Sequence, residues 1–231
     1  MRLVIFDCDG TLIDSQHAIF ECMSQAFGSL GLAAPARAEV LGIVGLSLPE
    51  ALQSLAPRES EIVRGQLIDA YRSGFVGVRQ RLGHSEPVYD GVAAAVGALA
   101  ACPRTVLGIA TGKSKRGVAR LLAQEGWEGH FLTIQTADDH PSKPHPSMIH
   151  KAMADAGAGP RDTVMIGDTT YDMEMARNAG VGAVGVSWGY HVPDRLRQSG
   201  AHVVVGNGVE LLGAIEQRLA AQREAAPRAK T

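Results

Sequence analysis

Six short runs of the chain, residues 3–6, 105–110, 131–134, 163–166, 181–186 and 202–205, are continuously apolar and rich in β-branched side chains. Unbroken apolarity, as opposed to alternation, is what a parallel strand covered on both faces requires. The last five runs follow one another with helical patterns between them, and that rhythm specifies an α/β fold with a doubly wound parallel sheet. The gap after the first run breaks the rhythm. From Ser15 to about Leu82 there are helical patterns and no strand, and ~70 residues is too long for an ordinary connection. The expected architecture is a Rossmann-like core of residues 1–14 and 84–231 with an inserted all-helical cap, residues 15–83. Hinges are expected at 14–15 and 83–90.

Start and stop signals fill in the helices. Asp14 or Ser15 can cap a first helix that buries Ile19, Cys22, Met23, Ala26, Phe27 and Leu30, and further cap helices are expected around 36–41, 49–55 and 58–75. The arginines among them, Arg37, Arg58, Arg64, Arg72, Arg79 and Arg81, fall at helical-surface spacing and read as solvated. In the core, Asp90 can cap a helix carrying Val92, Val96 and Leu99, while Val118, Leu121 and Leu122 make a stripe on the next. A helix with Ala176 and Ala179 ends at Gly180, and Asn207 can cap residues 209–219. The polar tail, 223–231, is expected to fray.

Composition excludes several classes of partner. The 231 residues include 22 basic and 24 acidic side chains, a net charge of −2, which offers no electrostatic footprint for nucleic acid or an anionic membrane. Aromatic residues, at 5%, are too few for a base-stacking platform. Cys8, Cys22 and Cys102 are an odd number in apolar segments, so they read as reduced thiols, not as a disulfide framework or a zinc site. The opening MRLVIFDCDG places acids where a signal peptide needs an apolar stretch. The longest segment without Asp, Glu, Lys or Arg, residues 178–193, is too short and glycine-rich for a span of about 20 apolar residues. A cytoplasmic protein is expected, a monomer or weak homodimer.

Chemistry concentrates at strand ends. The segment Asp7-Cys8-Asp9-Gly10-Thr11 follows the first strand directly. Side chains two apart on an extended chain face the same way, about 7 Å apart, so Asp7 and Asp9 can address one site at the carboxyl end of a strand, where open α/β sheets bind ligands. Gly10 lets the backbone turn sharply, or approach a ligand closely. A DxDGT segment arises by chance in roughly one chain of this length in a few hundred. Thr111-Gly112-Lys113 follows the second strand and is expected to open a helix, an arrangement that binds anions. It is not a nucleotide P-loop, because Gly108 lies one residue too close to Gly112. Lys143 stands among Pro141, Pro144 and Pro146, which fix its loop, and can grip a phosphoryl oxygen. Asp168 ends the fourth strand, and Asp172 follows in the first turn of a helix.

Right-handed crossovers put Asp7, Thr111 and Asp168 on one rim of the sheet. Carboxylates gathered there repel one another unless a cation is present, and magnesium is usually held by one or two carboxylates plus substrate phosphate. The residues thus imply a divalent ion by themselves. The histidines His140, His145 and His150, five apart and interrupted by prolines, do not share a helix face and are not read as a zinc site.

DCDGT, TGK, Lys143 with its prolines, and GDTTYD (residues 167–172), in that order, resemble the four motifs of the haloacid dehalogenase-like superfamily. The helical insertion after the first motif is similar to the cap of its phosphoglycolate phosphatase-like subfamily. The resemblance implies a phosphatase that uses Mg²⁺ and acts on a small phosphorylated metabolite, with Asp7 as nucleophile and metal ligand. Asp9 would be the general acid/base, its main-chain carbonyl also on the metal. Gly10, Thr11, Thr111, Gly112 and Lys143 would bind phosphate, and Asp168 and Asp172 would hold or support the metal. Cys8 reads as packing.

Other readings differ in specific residues. A dehalogenase lacks the second aspartate, which is present here as Asp9. A phosphonate-cleaving relative needs a cap lysine, and residues 15–82 contain none. A receiver-type signalling domain is about half this length and has no cap, and a phosphate-binding descendant without catalysis normally loses Asp7 or Asp9. A sugar phosphomutase of the β-phosphoglucomutase type shares all four motifs and is the alternative within the superfamily. The loop 44–48 is the cap segment expected to face the site.

Overall fold

The computed structural model describes residues 1–81 and 86–224, apart from the side chains of Val76 and Arg79. The expected hinge at 83–90 and the polar tail therefore lie partly outside the described residues. Strands β1 (Arg2–Phe6), β2 (Thr105–Thr111), β3 (Phe131–Thr136), β4 (Thr163–Gly167), β5 (Gly182–Val186) and β6 (Val203–Val205) form one sheet in the order β3-β2-β1-β4-β5-β6. All neighbouring strands are parallel. β2 and β3 outrun their apolar runs because Ala110 pairs with Gln135 and Thr111 with Thr136. The ladder, not hydrophobicity, sets those ends.

The chain winds outward from β1 on one side and from β4 on the other. The crevice beyond their carboxyl ends is the switch point where such sheets bind ligands. Successive side chains alternate between faces. Val4, Phe6, Leu107, Ile109, Val164 and Ile166 pack with helices α5 (Val92–Ala100), α6 (Lys115–Glu125) and α10 (Leu211–Glu224). Leu3, Ile5, Met165 and Ala183 pack on the other face with α7 (Ser147–Ala156), α8 (Thr170–Ala179) and α9 (Pro193–Ser199). Both faces of β1 are fully buried from Leu3 to Phe6, which explains the unbroken apolar runs. Each such side chain contributes about 1.5–3 kcal/mol.

Between β1 and α5 the described residues form four helices, α1 (Gln16–Ser29), α2 (Arg37–Gly42), α3 (Leu48–Leu55) and α4 (Glu61–Arg81). They have apolar clusters of their own, one around Met23, Phe27, Val40, Leu52 and Leu67 and a smaller one around Ala18, Cys22 and Val78. The two chain crossings to the sheet run side by side. Asp14 N donates to Pro87 O (2.8 Å), Tyr89 N donates to Leu12 O (3.1 Å), and Ile13 and Val88 form an antiparallel bridge.

Several local expectations need correction. Ser15 occupies the N-cap of α1 without capping it, because its hydroxyl is turned to Asp9; Asp14 Oδ1 instead accepts from Gln16 N (3.2 Å). Leu30 lies past the end of α1 and is exposed. Helix α4 starts at Glu61, after Ser60 Oγ accepts from Val63 N, and continues beyond Phe75 through Gly77. Val78, fully buried against Ala18 and Cys22, offsets the roughly 1 kcal/mol that a glycine costs a helix. Gly91, not Asp90, takes the N-cap of α5, because Val92 N closes a turn on Tyr89 O. Arg37 stacks over Phe20 and Arg64 bonds to Ala56 O, so neither is simply solvated. Gly180 ends α8 in the left-handed conformation, and Asn207 Oδ1 caps the short turn leading into α10, both as expected. Among the described residues no helix is long and apolar enough to cross a membrane.

Candidate active site

Asp7 follows β1 and is held against the neighbouring strand, its N–H donating to Ile166 O (2.9 Å). Its Oδ1 accepts from Cys8 N (2.7 Å) and lies 2.9 Å from Lys143 Nζ. Its Oδ2 is buried with no hydrogen-bond partner among the described residues. Cys8 points the other way, into the sheet core, where burial pushes its thiol well up. The chain then folds back tightly, with Gly10 N donating to Ile13 O and Thr11 N to Cys8 O. Gly10 has φ +86°, and a Cβ there would sit 2.2 Å from Asp168 Oδ2. The turn expected at Gly10 is present, and the group it brings close is the Asp168 carboxylate.

Asp168 leaves β4 beside Asp7. Its Oδ1 accepts from Thr11 Oγ1 (2.8 Å) and its Oδ2 from Tyr190 N (2.8 Å). Asp172 is the third residue of α8 and forms a capping box with Thr169, whose N–H and hydroxyl both donate to Asp172 Oδ2. That leaves Asp172 Oδ1 to Lys143, 2.7 Å away. Lys143 is itself 1% exposed. Its loop is tied down by His140, whose ring bonds Ser147 Oγ and Gln135 Oε1, and by Asn178, which donates to Pro144 O.

Asp7, Asp168 and Asp172 each offer an oxygen within 4.8 Å of the others'. Three buried carboxylates face one ammonium, a strongly negative balance. Burial, opposed by Lys143 and aided by Asp172, raises the Asp7 carboxyl to about 6. Burial followed by Asp172 and Asp7 pushes Asp168 well above the carboxylate range. Burial alone would lower Lys143, but Asp172 and Asp7 outweigh it and hold its ammonium up. An all-oxygen donor set with excess negative charge and an unpartnered buried oxygen fits a hard divalent cation.

Asp9 stands outside this group. Its Oδ1 accepts from Ser15 Oγ (2.6 Å) and Lys113 Nζ (2.7 Å). It nonetheless lines the same cavity as Asp7, a space of about 640 Å³ that also meets Thr111, Gly112, Lys113, Ser47 and Tyr71. Thr111 ends β2 with its hydroxyl toward Asp7. It does not open the helix, since α6 begins at Lys115 with Ser114 as its cap. The main-chain donors of Gly10 and Thr11 are spent within their own turn, the Thr11 hydroxyl is spent on Asp168, and neither residue lines the cavity. Both are thus placed to hold the loop, not to meet phosphate.

The loop 44–48 lines the cavity that Asp7 also lines, as expected. It is seated on the sheet's loops by Ser47 N donating to Ser142 Oγ (2.8 Å). Gly42 O next to it accepts from Tyr171 Oη (3.1 Å) and His191 Nε2 (3.2 Å); His191 Nδ1 accepts from Thr170 N, which fixes this tautomer. Sequence reasoning missed Ser15, Glu86, Lys113, Tyr190 and His191. For Lys113 alone there was a signal, its place two residues after Thr111.

Fold and site together define an α/β protein with an acidic ligand-binding centre at the switch point of its sheet. A family model described as haloacid dehalogenase-like hydrolase matches residues 4–186. "Probable phosphatase IndB" of Dickeya dadantii is 36% identical over 218 residues, covering 92% of each chain. A phosphoglycolate phosphatase of Vibrio vulnificus is 27% identical over 223 residues, 93% of this chain and 96% of that one. The crystal structure of a hydrolase from Pseudomonas syringae has the same fold, with a TM-score of 0.82 at 24% identity over 94% of this chain and 99% of that one. The chain belongs to the haloacid dehalogenase-like hydrolase family.

Proposed function

We propose that the protein is a magnesium-dependent phosphatase that hydrolyses a small organic phosphate monoester through a phospho-aspartyl intermediate on Asp7. The observation that carries this reading is the convergence of Asp7, Asp168, Asp172 and Lys143 beneath a cavity whose wall also holds Asp9. Asp7 and Asp168 would hold the cation, with the Asp9 main-chain carbonyl, and Asp172 would support it. Bound there, Mg²⁺ supplies positive charge that screens the substrate phosphate and the crowded carboxylates. Lys143 adds a fixed ammonium, and Thr111 and Gly112 orient the phosphoryl oxygens. Asp7 attacks phosphorus in line as the P–O bond to the leaving group breaks. Asp9 gives its proton to the departing alkoxide. A water then attacks the phosphorus of the acyl phosphate, Asp9 takes its proton, and inorganic phosphate leaves with the Asp7 carboxylate restored. The helical segment, residues 15–83, acts as the cap that excludes bulk water while this happens.

The test is phosphate release from a panel of monoesters, including phosphoglycolate, sugar phosphates and nucleoside monophosphates, with Mg²⁺ and with a chelator. Release from some members that stops on chelation is expected. No release from any ester by metal-saturated protein eliminates the reading. Isomerisation of a hexose 1-phosphate without net release would replace it with the mutase.

Two further outcomes follow from the geometry. In Asp168→Asn the amide keeps an acceptor for Tyr190 N and a donor for Thr11 Oγ1 while one crowded charge disappears. The metal-free variant should therefore melt no lower than the metal-free wild type. Wild type at a hundredfold excess of Mg²⁺ over its Kd should gain about 2.7 kcal/mol, roughly 5–10 °C; the variant should lose that response, which calorimetry with and without Mg²⁺ will show. In Gly112→Ala a Cβ would stand 2.5 Å from Leu46 O and 2.9 Å from Gly45 O. Backbone cannot yield cheaply, so the 44–48 loop is pushed off its seat. KM should rise about tenfold, a cost of about 1.4 kcal/mol, and an unchanged KM would show that the loop does not close on substrate.

A further inference from the structure

Asp9 is gripped through one oxygen by residues from two separate parts of the chain. Ser15, in the first crossing between sheet and helical segment, gives its only hydroxyl hydrogen to Asp9 Oδ1 at 2.6 Å. Tyr190 Oη, 3.1 Å from Ser15 Oγ, is then the donor in that pair. Lys113, in the loop after β2, donates to the same Asp9 Oδ1 at 2.7 Å. The other neighbour of Lys113 Nζ is Glu86 Oε1, 3.5 Å away.

Glu86 lies in the second crossing, just before Pro87 accepts from Asp14 N. It is 5% exposed. A carboxylate is not buried at such a place without compensating charge, and Lys113 contributes to it. The long lysine stem is flexible, so a single carboxylate would leave its ammonium free to swing toward Asp7 or an incoming phosphate. A second carboxylate within 3.5 Å of Nζ restrains it further. With Oδ1 of Asp9 taking both hydrogen bonds, Oδ2 is the oxygen left to serve the leaving group.

We propose that Glu86 is a positioning residue for proton transfer by Asp9, acting through Lys113, and that it couples the seating of the helical segment to the placement of the acid/base. The coupling arises because Ser15 and Glu86 occupy the two crossings that join the helical segment to the sheet. This rests on the phosphatase reading above.

The distinguishing readout is dependence on the leaving group. An alkyl phosphate needs a proton from Asp9 as its P–O bond breaks, whereas p-nitrophenyl phosphate releases a phenolate that departs without one. The quantity to measure is the ratio of kcat on the best alkyl phosphate of the panel to kcat on p-nitrophenyl phosphate. General acid catalysis is worth about 10²–10⁴, and partial misplacement should remove part of it. Glu86→Ala is expected to lower the ratio about tenfold, with Lys113→Met lowering it similarly and the double variant no further. Glu86→Gln, which keeps an acceptor for Lys113 but drops the charge, takes the place of the alanine variant if that one does not fold. A ratio lowered fivefold or more supports the proposal. A smaller change, including an equal loss on both esters, overturns it as a general loss of structure would. If wild type hydrolyses neither ester, the phosphatase reading itself has failed and the proposal goes with it.

Discussion

Asp7→Asn should lower turnover by about 10⁴-fold or more while leaving the protein folded. The size follows from what the residue is proposed to do. An amide cannot accept phosphorus to form the intermediate, and losing a nucleophile commonly costs factors of this order. The fold should survive because an amide suits the site. Burial already raises the Asp7 carboxyl to about 6, so the ionised form is held there at a cost that a neutral side chain avoids. An asparagine oxygen can still accept from Cys8 N, and Lys143 keeps Asp172 as its partner. Steady-state assays in Mg²⁺ and a thermal melt without metal check the two halves. Wild-type turnover by a folded variant would remove Asp7 from the chemistry, and a large drop in melting temperature would mean that the carboxylate has a structural role not described above.

Asp7, Thr111 and Asp168 were legible because position alone constrains them. A residue directly after a parallel strand must stand on the carboxyl rim, and the crossover rule puts all such rims on one edge. Lys143 was legible through the prolines around it, although they gave no hint of its near-complete burial between Asp7 and Asp172. Ser15, Lys113 and Glu86 were not legible as a set. Their meaning lies in contacts across 104 residues from Lys113 to Asp9 and 27 from Lys113 to Glu86, and no local pattern announces a pairing between two chain crossings and a loop. Ser15 misled for a physical reason. A serine before a helix normally caps it by accepting a main-chain N–H, but the Ser15 hydroxyl is turned away from the helix end to donate to the Asp9 carboxylate at 2.6 Å, a charge-assisted bond. Tyr190 and His191 sat in a stretch notable only for lacking charge, yet their main-chain and ring atoms support Asp168 and the seat of the 44–48 loop.

Lys143→Ala should be the most destabilising single change at the site. Its ammonium is fully buried, 2.9 Å from Asp7 and 2.7 Å from Asp172. Truncation leaves Asp7, Asp168 and Asp172 within 4.8 Å of one another with no positive group between them. Removing one partner of a buried pair typically costs 3–5 kcal/mol, which for a chain of this size lowers the melting temperature by roughly 6–20 °C. The cause can be separated from simple loss of packing. In the variant the folded state holds a carboxyl whose pKa lies above its unfolded value, already raised to about 6 for Asp7 in the presence of the lysine. Such a group favours folding below its unfolded pKa, and that contribution is lost as pH rises through the folded value. The deficit relative to wild type, measured in chelator, should therefore shrink as pH falls from neutral through 6 toward 4. Pairing the change with Asp172→Asn should likewise recover much of it, since one uncompensated charge is gone. A deficit that is constant with pH and untouched by the second substitution would mean that the methylene packing of Lys143, and not its charge, holds this centre together.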